Sequence, residues 1–273
     1  MTTGTCFMQV PYYEVDAFTN RVFAGNPAGV CIVDPWLPDE LMQAIAAENN
    51  FSETAFVLRE GDHCRLTWFT PTMEVDLCGH ATLAAAFVLL HEFEPGSEAI
   101  VFHTKTDELI VEKRGDDLLA MDFPSRMPEP CPPPPPEKLI EGLRAEPKEV
   151  HRSRDYMAVF DSEEDVRNLA PDFAKLLELD GLCIIATAPG EQVDFVSRVF
   201  VPAAGIDEDP VTGSAHCSLI PYWAKRLGKS SLHALQISPR GGELFCEDRG
   251  PRCTIAGSAV IYLKGTITVP DAL

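Results

Sequence analysis

The sequence predicts an α+β fold built from two similar halves, each a curled β-sheet around one central helix. Many short runs are rich in β-branched and aromatic residues and are separated by turn residues, which is typical of strands. Each half has one apolar segment that reads as a buried helix. One motif also occurs twice. Together these three observations predict a duplicated sheet-and-helix unit.

The repeated motif lies at residues 69–81 and 200–215. Residues 69–76 align without gaps on residues 200–207, and each copy then reaches a Gly-x-Ala sequence that opens the apolar helix. The second copy is three residues longer between these two parts. Because the order of strands and helices also agrees around both copies, we predict an internal duplication with the active site between the two copies.

The elements of the first half are predicted from residue type, from turn residues and, for the helix at 38–49, from the helical spacing of its apolar residues. Strands are expected at residues 10–18, 29–33, 54–58, 64–70, 100–104, 108–113 and 118–123, and helices at residues 38–49 and 82–91.

The second half is predicted to repeat this order after a proline-rich connector. Residues 132–136 are five consecutive prolines, which favour extended polyproline II and indicate a stiff spacer. Strands are expected at residues 157–160, 182–187, 194–201, 235–238, 243–247, 253–256 and 259–268, and helices at residues 163–179 and 216–227. The first of these helices is expected to break at Pro171. The predicted organisation is therefore a first lobe over residues 1–124, a connector over 125–136 and a second lobe over 137–262.

Composition narrows the possible partners and the compartment. The chain has 273 residues and a net charge of -20, from 42 acidic and 22 basic side chains, which argues against nucleic acid and anionic membranes as partners. Nine cysteines without a Cys-x-x-Cys pair indicate reduced thiols. Residues 1–10 do not have the pattern of a secretory signal, so a cytoplasmic protein is expected.

Candidate site residues cluster around the two helix starts. A helix start exposes free N–H groups, and Gly79 and Gly213 would let a small carboxylate approach the backbone, although glycines at such positions also simply permit tight turns. His80 follows the first glycine, and one of the acids at 207–209 is placed to reach the second helix start. Glu53 opens a strand between apolar residues, where burial would raise its pKa toward the value that a proton shuttle needs.

Other site classes lack their signatures. The sequence contains no phosphate loop, no Gly-x-Gly-x-x-Gly fingerprint and no zinc-ligand spacing, so neither a metal nor an organic cofactor is expected. A cofactor-independent enzyme that transfers protons is the prediction that remains.

Five stretches resemble the PhzF family of phenazine biosynthesis-like isomerases, and the similarity spans nearly the whole chain. They lie at residues 16–29, 50–56, 68–71, 77–82 and 208–216. The resemblance implies the diaminopimelate epimerase-like fold, with two pseudo-symmetric lobes and a C-terminal strand, here residues 263–273, that returns to the first lobe. It also implies a homodimer, a small carboxylate-bearing substrate and the absence of a cofactor.

The resemblance also assigns roles to individual residues. It implies that Glu53 is the general acid/base and that His80 and Asp209 orient the substrate and assist proton movement. It implies substrate binding by the helix-start residues Gly79, Thr212, Gly213 and Ser214.

The related epimerases use two cysteines, one before each helix start, as paired bases. This chain has Cys78 at the first position but Thr212 at the second, and a threonine hydroxyl cannot serve as a base near neutral pH. We therefore expect a proton shuttle through Glu53. An epimerase or racemase that depends on Cys78 and a non-catalytic binding protein that keeps the fold are the two alternatives.

Overall fold

The structure is a computed structural model that describes residues 7–115 and 117–270. Its strands are β1 (Phe7–Ala17), β2 (Asn26–Ile32), β3 (Thr54–Glu60), β4 (His63–Phe69), β5 (Glu74–Val75), β6 (Ala99–His103), β7 (Glu108–Arg114), β8 (Leu118–Pro124), β9 (Glu129–Pro130), β10 (Glu149–Arg152), β11 (Tyr156–Val159), β12 (Ile184–Pro189), β13 (Phe195–Phe200), β14 (Glu208–Asp209), β15 (Ser231–Gln236), β16 (Gly242–Asp248), β17 (Arg252–Gly257) and β18 (Ala259–Pro270). Its helices are α1 (Asp39–Asn49), α2 (Gly79–Val88), α3 (Glu137–Leu143), α4 (Glu163–Arg167), α5 (Phe173–Leu176) and α6 (Gly213–Leu227). A π-helical turn, Leu89–Phe93, extends α2, and a 3₁₀ turn, Pro202–Ala204, precedes β14. Of the predicted C-terminal strand, residues 271–273 lie outside the described residues.

The described chain divides into two compact units, residues 7–121 with 257–270 and residues 122–256. In the first unit the strands pair in the order β18–β1–β2–β3–β4–β6–β7–β8, and β5 pairs with β4. The β2–β3 and β4–β6 pairs are parallel and the others antiparallel. This sheet packs around α2, which contacts β1, β2, β3 and β18.

The second unit repeats this arrangement strand for strand. Its order is β9–β10–β11–β12–β13–β15–β16–β17, with β14 on β13, and its parallel pairs are β11–β12 and β13–β15. The helix α6 follows β14 in the chain as α2 follows β5, and it contacts β15 and β16. The predicted duplication is therefore confirmed at the level of strand order and strand direction.

The strand register corrects the predicted alignment of the two motif copies. Phe69 pairs with Glu74 on β5, and Phe200 pairs with Glu208 on β14, so Glu74 and Glu208 are equivalent. The three extra residues of the second copy therefore lie in its 3₁₀ turn, before β14, and not after Asp207. From Glu74 to Gly79 and from Glu208 to Gly213 the two copies align without a gap. The sequence alignment was wrong here because the two turns share a proline after the strand.

Several predicted elements differ from the structure at their ends. Both central helices begin three residues before their predicted starts at 82 and 216, because each glycine is the first helical residue. The helix at 163–179 is two short helices with Pro171 between them, as expected. Sequence reasoning missed α3 and β10, and β9, within the predicted connector, pairs with β10.

Apolar side chains of each sheet pack on helices. In the first unit they pack on α2 and, in a separate cluster, on α1. In the second unit one cluster packs on α3, α4 and α5. In α2 nearly every residue is buried, and Leu83 and Val88 are fully so. Full burial of a leucine or valine side chain stabilises the fold by roughly 1.5–3 kcal/mol. The eight cysteines among the described residues are all in the thiol form. None of the helices in the described ranges is long and apolar enough to cross a membrane.

The loop before β2 leaves no space for a side chain at Gly25. Gly25 has a φ of +64°, and an added Cβ would lie 2.2 Å from the carbonyl oxygen of Ala17, whereas Gly61 has a φ of +71° and open space. We expect Gly61→Ala to lower the free energy of unfolding by about 1–2 kcal/mol, for the left-handed backbone alone. Gly25→Ala is expected to cost about 1–3 kcal/mol more, because the loop must also shift. Urea unfolding of both variants measures this difference, and equal losses would contradict the steric argument.

Candidate active site

Glu53 lies at the entrance of β3, immediately after the loop that follows α1. Its side chain is only 21% exposed. Burial raises the pKa of its carboxyl above the ordinary value of 4.5, and hydrogen bonds from Ser52 and Cys78 partly offset this rise. The local fold fixes this position, because the Asn49 amide donates to the Thr54 hydroxyl at 3.2 Å across the loop. Glu53 is therefore a carboxyl group whose neutral and ionised forms are closer in free energy near neutral pH than those of a solvated glutamate.

His80 faces Glu53 from the first turn of α2. Its Nε2 lies 3.4 Å from Glu53 Oε2 and 3.4 Å from the Ser52 hydroxyl. Its Nδ1 lies 3.3 Å from the Asn26 amide nitrogen, at the start of β2. Because an amide nitrogen is a donor, this contact favours the tautomer in which Nδ1 accepts and Nε2 carries the proton. The imidazole therefore presents its N–H to the carboxylate.

Cys78 completes the cluster at the N-cap of α2. Its Sγ lies 3.5 Å from His80 Nδ1, and its thiol also hydrogen-bonds the Glu53 carboxyl. It does not cap the helix through its side chain, and the first turn of α2 contains no acidic residue. The first backbone N–H groups of α2 are therefore not satisfied by a side-chain cap, which leaves a helix start suited to a carboxylate.

The second unit holds its predicted residues around Gln236, which is fully buried. The Thr212 hydroxyl donates to Asp209 Oδ2 at 2.5 Å, and the Thr212 N–H donates to Gln236 Oε1 at 2.8 Å. The Gln236 amide donates to the Asp209 carbonyl oxygen at 2.7 Å. Thr212 is thus engaged with Asp209 and Gln236 inside the unit, and its hydroxyl orients the carboxylate.

A cationic side chain that was not predicted, that of Arg154, lies beside the start of α6. Arg154 Nη2 lies 3.4 Å from the Ser214 hydroxyl, while Arg154 Nε donates to Asp155 at 2.8 Å. His216, four residues after Thr212, lies wholly inside the unit, and burial lowers its pKa to about 4. A neutral His216 donates from Nδ1 to the Thr212 carbonyl oxygen at 2.8 Å. This contact supports the helix start and does not move protons.

The acids near each motif copy fall into separate roles. Glu74 accepts a hydrogen bond from the Thr67 hydroxyl at 2.6 Å and forms an ion pair with Lys105. Glu208 forms a bidentate ion pair with Arg198. Both are therefore structural. Of the acids at 207–209, Asp209 is the one whose carboxylate binds Thr212.

The register also identifies which residues of the two units are equivalent. Thr54 pairs with Phe69 as Ile184 pairs with Phe200, so Cys183 occupies the position of Glu53. By the same alignment Ser214 takes the place of His80, and Thr212 that of Cys78. Burial raises the pKa of the Cys183 thiol to about 12, so the thiol stays protonated at neutral pH and is no base. The duplicated framework therefore carries a candidate base at this position in the first unit only.

Comparison with known proteins places this chain in a family. The sequence model of the family described as phenazine biosynthesis-like protein, PhzC-PhzF, matches residues 15–265. The chain belongs to the PhzF family. A curated Pseudomonas aeruginosa protein, an uncharacterised isomerase, is 52% identical over 261 residues, covering 95% of this chain and 99% of that protein. A PhzF-family crystal structure from Enterococcus faecalis has the same architecture, with a TM-score of 0.92 at 47% identity, and covers 95% of this chain and 99% of that one.

A more distant structure extends the fold assignment beyond the PhzF family. The structure of a predicted epimerase from Pseudomonas aeruginosa matches with a TM-score of 0.72 at 18% identity, covering 94% of this chain and 99% of that one, which shows the fold alone. The predicted diaminopimelate epimerase-like α+β fold is confirmed, and this PhzF-family chain is an isomerase.

The structure brings together part of the site that was predicted for this PhzF-family protein. Glu53, His80, Cys78 and Gly79 meet in the first unit, and the second unit gathers Asp209, Thr212, Gly213 and Ser214. The supporting residues Asn26, Ser52, Gln236 and Arg154 were missed. Asn26 and Ser52 lie within stretches that carried the family resemblance, so a signal for them existed. Gln236 and Arg154 are far from the motif in sequence and left none.

Proposed function

We propose that this PhzF-family isomerase moves a proton within a small carboxylate-bearing substrate and that Glu53 takes and returns that proton. The observation that carries the proposal is the mostly buried Glu53 carboxyl, with a raised pKa, whose Oε2 lies 3.4 Å from His80 Nε2. A carboxyl group with such a pKa can both accept and release a proton near neutral pH. The uncapped start of α2 is suited to the substrate carboxylate.

The proposed reaction needs no electron transfer. The Glu53 carboxylate removes a proton from a substrate carbon, and the C–H electron pair is delocalised toward an adjacent unsaturated or carbonyl group. The resulting carboxylic acid then protonates a second carbon of the same molecule. Hydrogen bonds from Ser52 and Cys78, together with the nearby His80, stabilise the ionised form of Glu53 before the first step and after the second.

A screen that reads both binding and chemistry tests the proposal. Small cyclic and amino carboxylic acids are first ranked by the thermal shift that they produce, because a ligand stabilises the folded state by mass action. Each stabilising compound is then incubated with enzyme in deuterated water and followed by proton NMR. Loss of a C–H signal that depends on enzyme supports the proposal. Stabilising ligands that never exchange would favour the alternative of a binding protein.

The pH dependence is expected to report the contact between His80 and Glu53. The carboxylate is the base, so exchange should fall as the pH drops through the Glu53 pKa, with a midpoint above 4.5. His80→Phe removes the Nε2 proton that stabilises the anion but keeps a planar ring. We expect its midpoint to move to higher pH, since the ionised form loses a donor. The pH profile of kcat/KM measures this, and an unchanged or lower midpoint would contradict it.

The contact between Thr212 and Asp209 can be tested with two matched variants. Thr212→Val keeps the shape but removes the hydroxyl that binds the Asp209 carboxylate, whereas Thr212→Ser keeps the hydroxyl. If Asp209 assists the proposed reaction, the valine variant should lose roughly 10-fold or more in kcat/KM, about one hydrogen bond to a charged group, and the serine variant should lose little. Steady-state kinetics with the identified substrate measures both. Equal losses would assign Thr212 a packing role.

A further inference from the structure

The Glu53–Cys78–His80 cluster has a second chemical capacity that proton transfer does not use. One donor atom from each side chain, a carboxylate oxygen, a sulfur and an imidazole nitrogen, can be chosen so that all three lie within 4.8 Å of one another. Cys78 and His80 are each only 6% exposed, and Glu53 is mostly buried. The three donors come from two segments, the entrance of β3 and the start of α2, which the sheet and the helix hold together.

This donor set matches the preferences of zinc and similar thiophilic cations. Zn²⁺ binds cysteine sulfur at roughly 2.3 Å and histidine nitrogen and carboxylate oxygen at about 2.0–2.2 Å, in a tetrahedron. Ligands of such a tetrahedron lie about 3.2–3.8 Å apart, so the side chains would need to move by about 1 Å. Three protein ligands also leave a fourth position open for water. Sequence spacing did not reveal the set, because Glu53 is 25 residues from Cys78.

We infer that this cluster reversibly binds Zn²⁺ or another thiophilic divalent cation, and that the bound cation inhibits the enzyme. On binding, the Cys78 thiol releases its proton to solvent and the thiolate coordinates the cation. The Glu53 carboxylate then donates its electron pair to the metal and cannot accept a substrate proton. The inhibition rests on the proposed function, but the binding does not.

Cobalt provides a direct test because a Co²⁺–thiolate bond absorbs in the near ultraviolet. Metal-free protein is titrated with CoCl₂, and we expect a charge-transfer band that saturates at one equivalent and is removed by ZnCl₂. The band should be lost in Cys78→Ser. It should be retained in Cys131→Ser, which removes a partly exposed thiol of the second unit. Absence of the band in the unaltered protein, or its persistence in Cys78→Ser, would overturn the assignment.

Inhibition is measured separately, with the solvent-exchange assay. We expect ZnCl₂ to suppress exchange by the unaltered protein and by Cys131→Ser, and to affect Cys78→Ser much less. A cobalt band in a protein that shows no exchange with any ligand would sink the proposed function and leave the metal site standing. Exchange that depends on Glu53 but is unaffected by zinc, in a protein without a cobalt band, would support the proposed function and overturn the metal site.

Discussion

Glu53→Gln is expected to reduce turnover by about 10³-fold or more while leaving ligand binding nearly intact. Removing a general acid/base typically costs about 10²–10⁴-fold, and here one group both takes and returns the proton. Glutamine has almost the same shape and keeps hydrogen-bonding atoms for Ser52 and Cys78, so the site should still bind its ligand. Steady-state kinetics and calorimetric binding measure the two effects. Full retained activity would remove Glu53 from the mechanism.

The stability of the same variant separates lost chemistry from lost structure. Because the pKa of Glu53 is raised in the fold, its favourable contribution is fully present below 4.5 and is lost as the pH rises through the folded-state value. At neutral pH the wild-type protein therefore bears the cost of a buried carboxylate, which glutamine lacks. At neutral pH, Glu53→Gln should therefore unfold at the same temperature as the wild-type protein or at a higher one. Glu60→Gln, at an exposed carboxylate at the other end of β3, serves as the control and should change neither property.

Arg198→Met is expected to cause the largest loss of stability, about 3–5 kcal/mol in the free energy of unfolding. Arg198 donates from Nε and Nη2 to the two carboxylate oxygens of Glu208, both at 2.8 Å. The two side chains are only 11% and 13% exposed. Its Nη1 also donates to three backbone carbonyl oxygens, those of Val166, Arg167 and Leu169. Methionine would leave a buried carboxylate and these carbonyl groups without their cation.

A double variant tests whether the unpaired charge causes this loss. Arg198→Met combined with Glu208→Leu should recover part of the stability, since replacing both partners removes the uncompensated carboxylate. Arg144→Met breaks the exposed pair with Asp172, which lies 3.1 Å away, and should cost about 0–1 kcal/mol. Urea unfolding measures all three variants. A loss at Arg198 as small as that at Arg144 would refute the account of the buried pair.

Sequence reasoning predicted those parts of the molecule that depend on local pattern. The apolar segments located both central helices, and the motif glycines marked their starts more accurately than the predicted bounds at 82 and 216. Glu53 could be singled out because it opens a strand between apolar residues, and His80 because it follows the glycine at a helix start. The alignment of the two copies failed at the turn before β14, since an insertion in a turn leaves no periodic signal and only the pairing of Phe200 with Glu208 fixes the register.

The remaining parts depend on contacts that are distant in sequence. Gln236 holds Asp209 and Thr212 from β15, and Asn26 reaches His80 across 54 residues. Arg198 and Glu208 read separately as ordinary surface charges, and only the pairing of β13 with β14 makes them a buried pair. The loss of a base at Cys183 likewise becomes apparent only once the register makes it the equivalent of Glu53.

Exchange with solvent most directly tests the claim that one carboxyl group, and not a thiol, moves the proton. A ligand found in the thermal-shift screen is incubated in deuterated water with the wild-type protein, Cys78→Ser or Glu53→Gln, and deuterium at carbon is followed by NMR. The account predicts incorporation by the wild type and Cys78→Ser at rates within about 10-fold of each other, since the serine hydroxyl still donates to Glu53. It predicts none above background for Glu53→Gln. Incorporation that survives in Glu53→Gln and disappears in Cys78→Ser would contradict it and establish the thiol as the base.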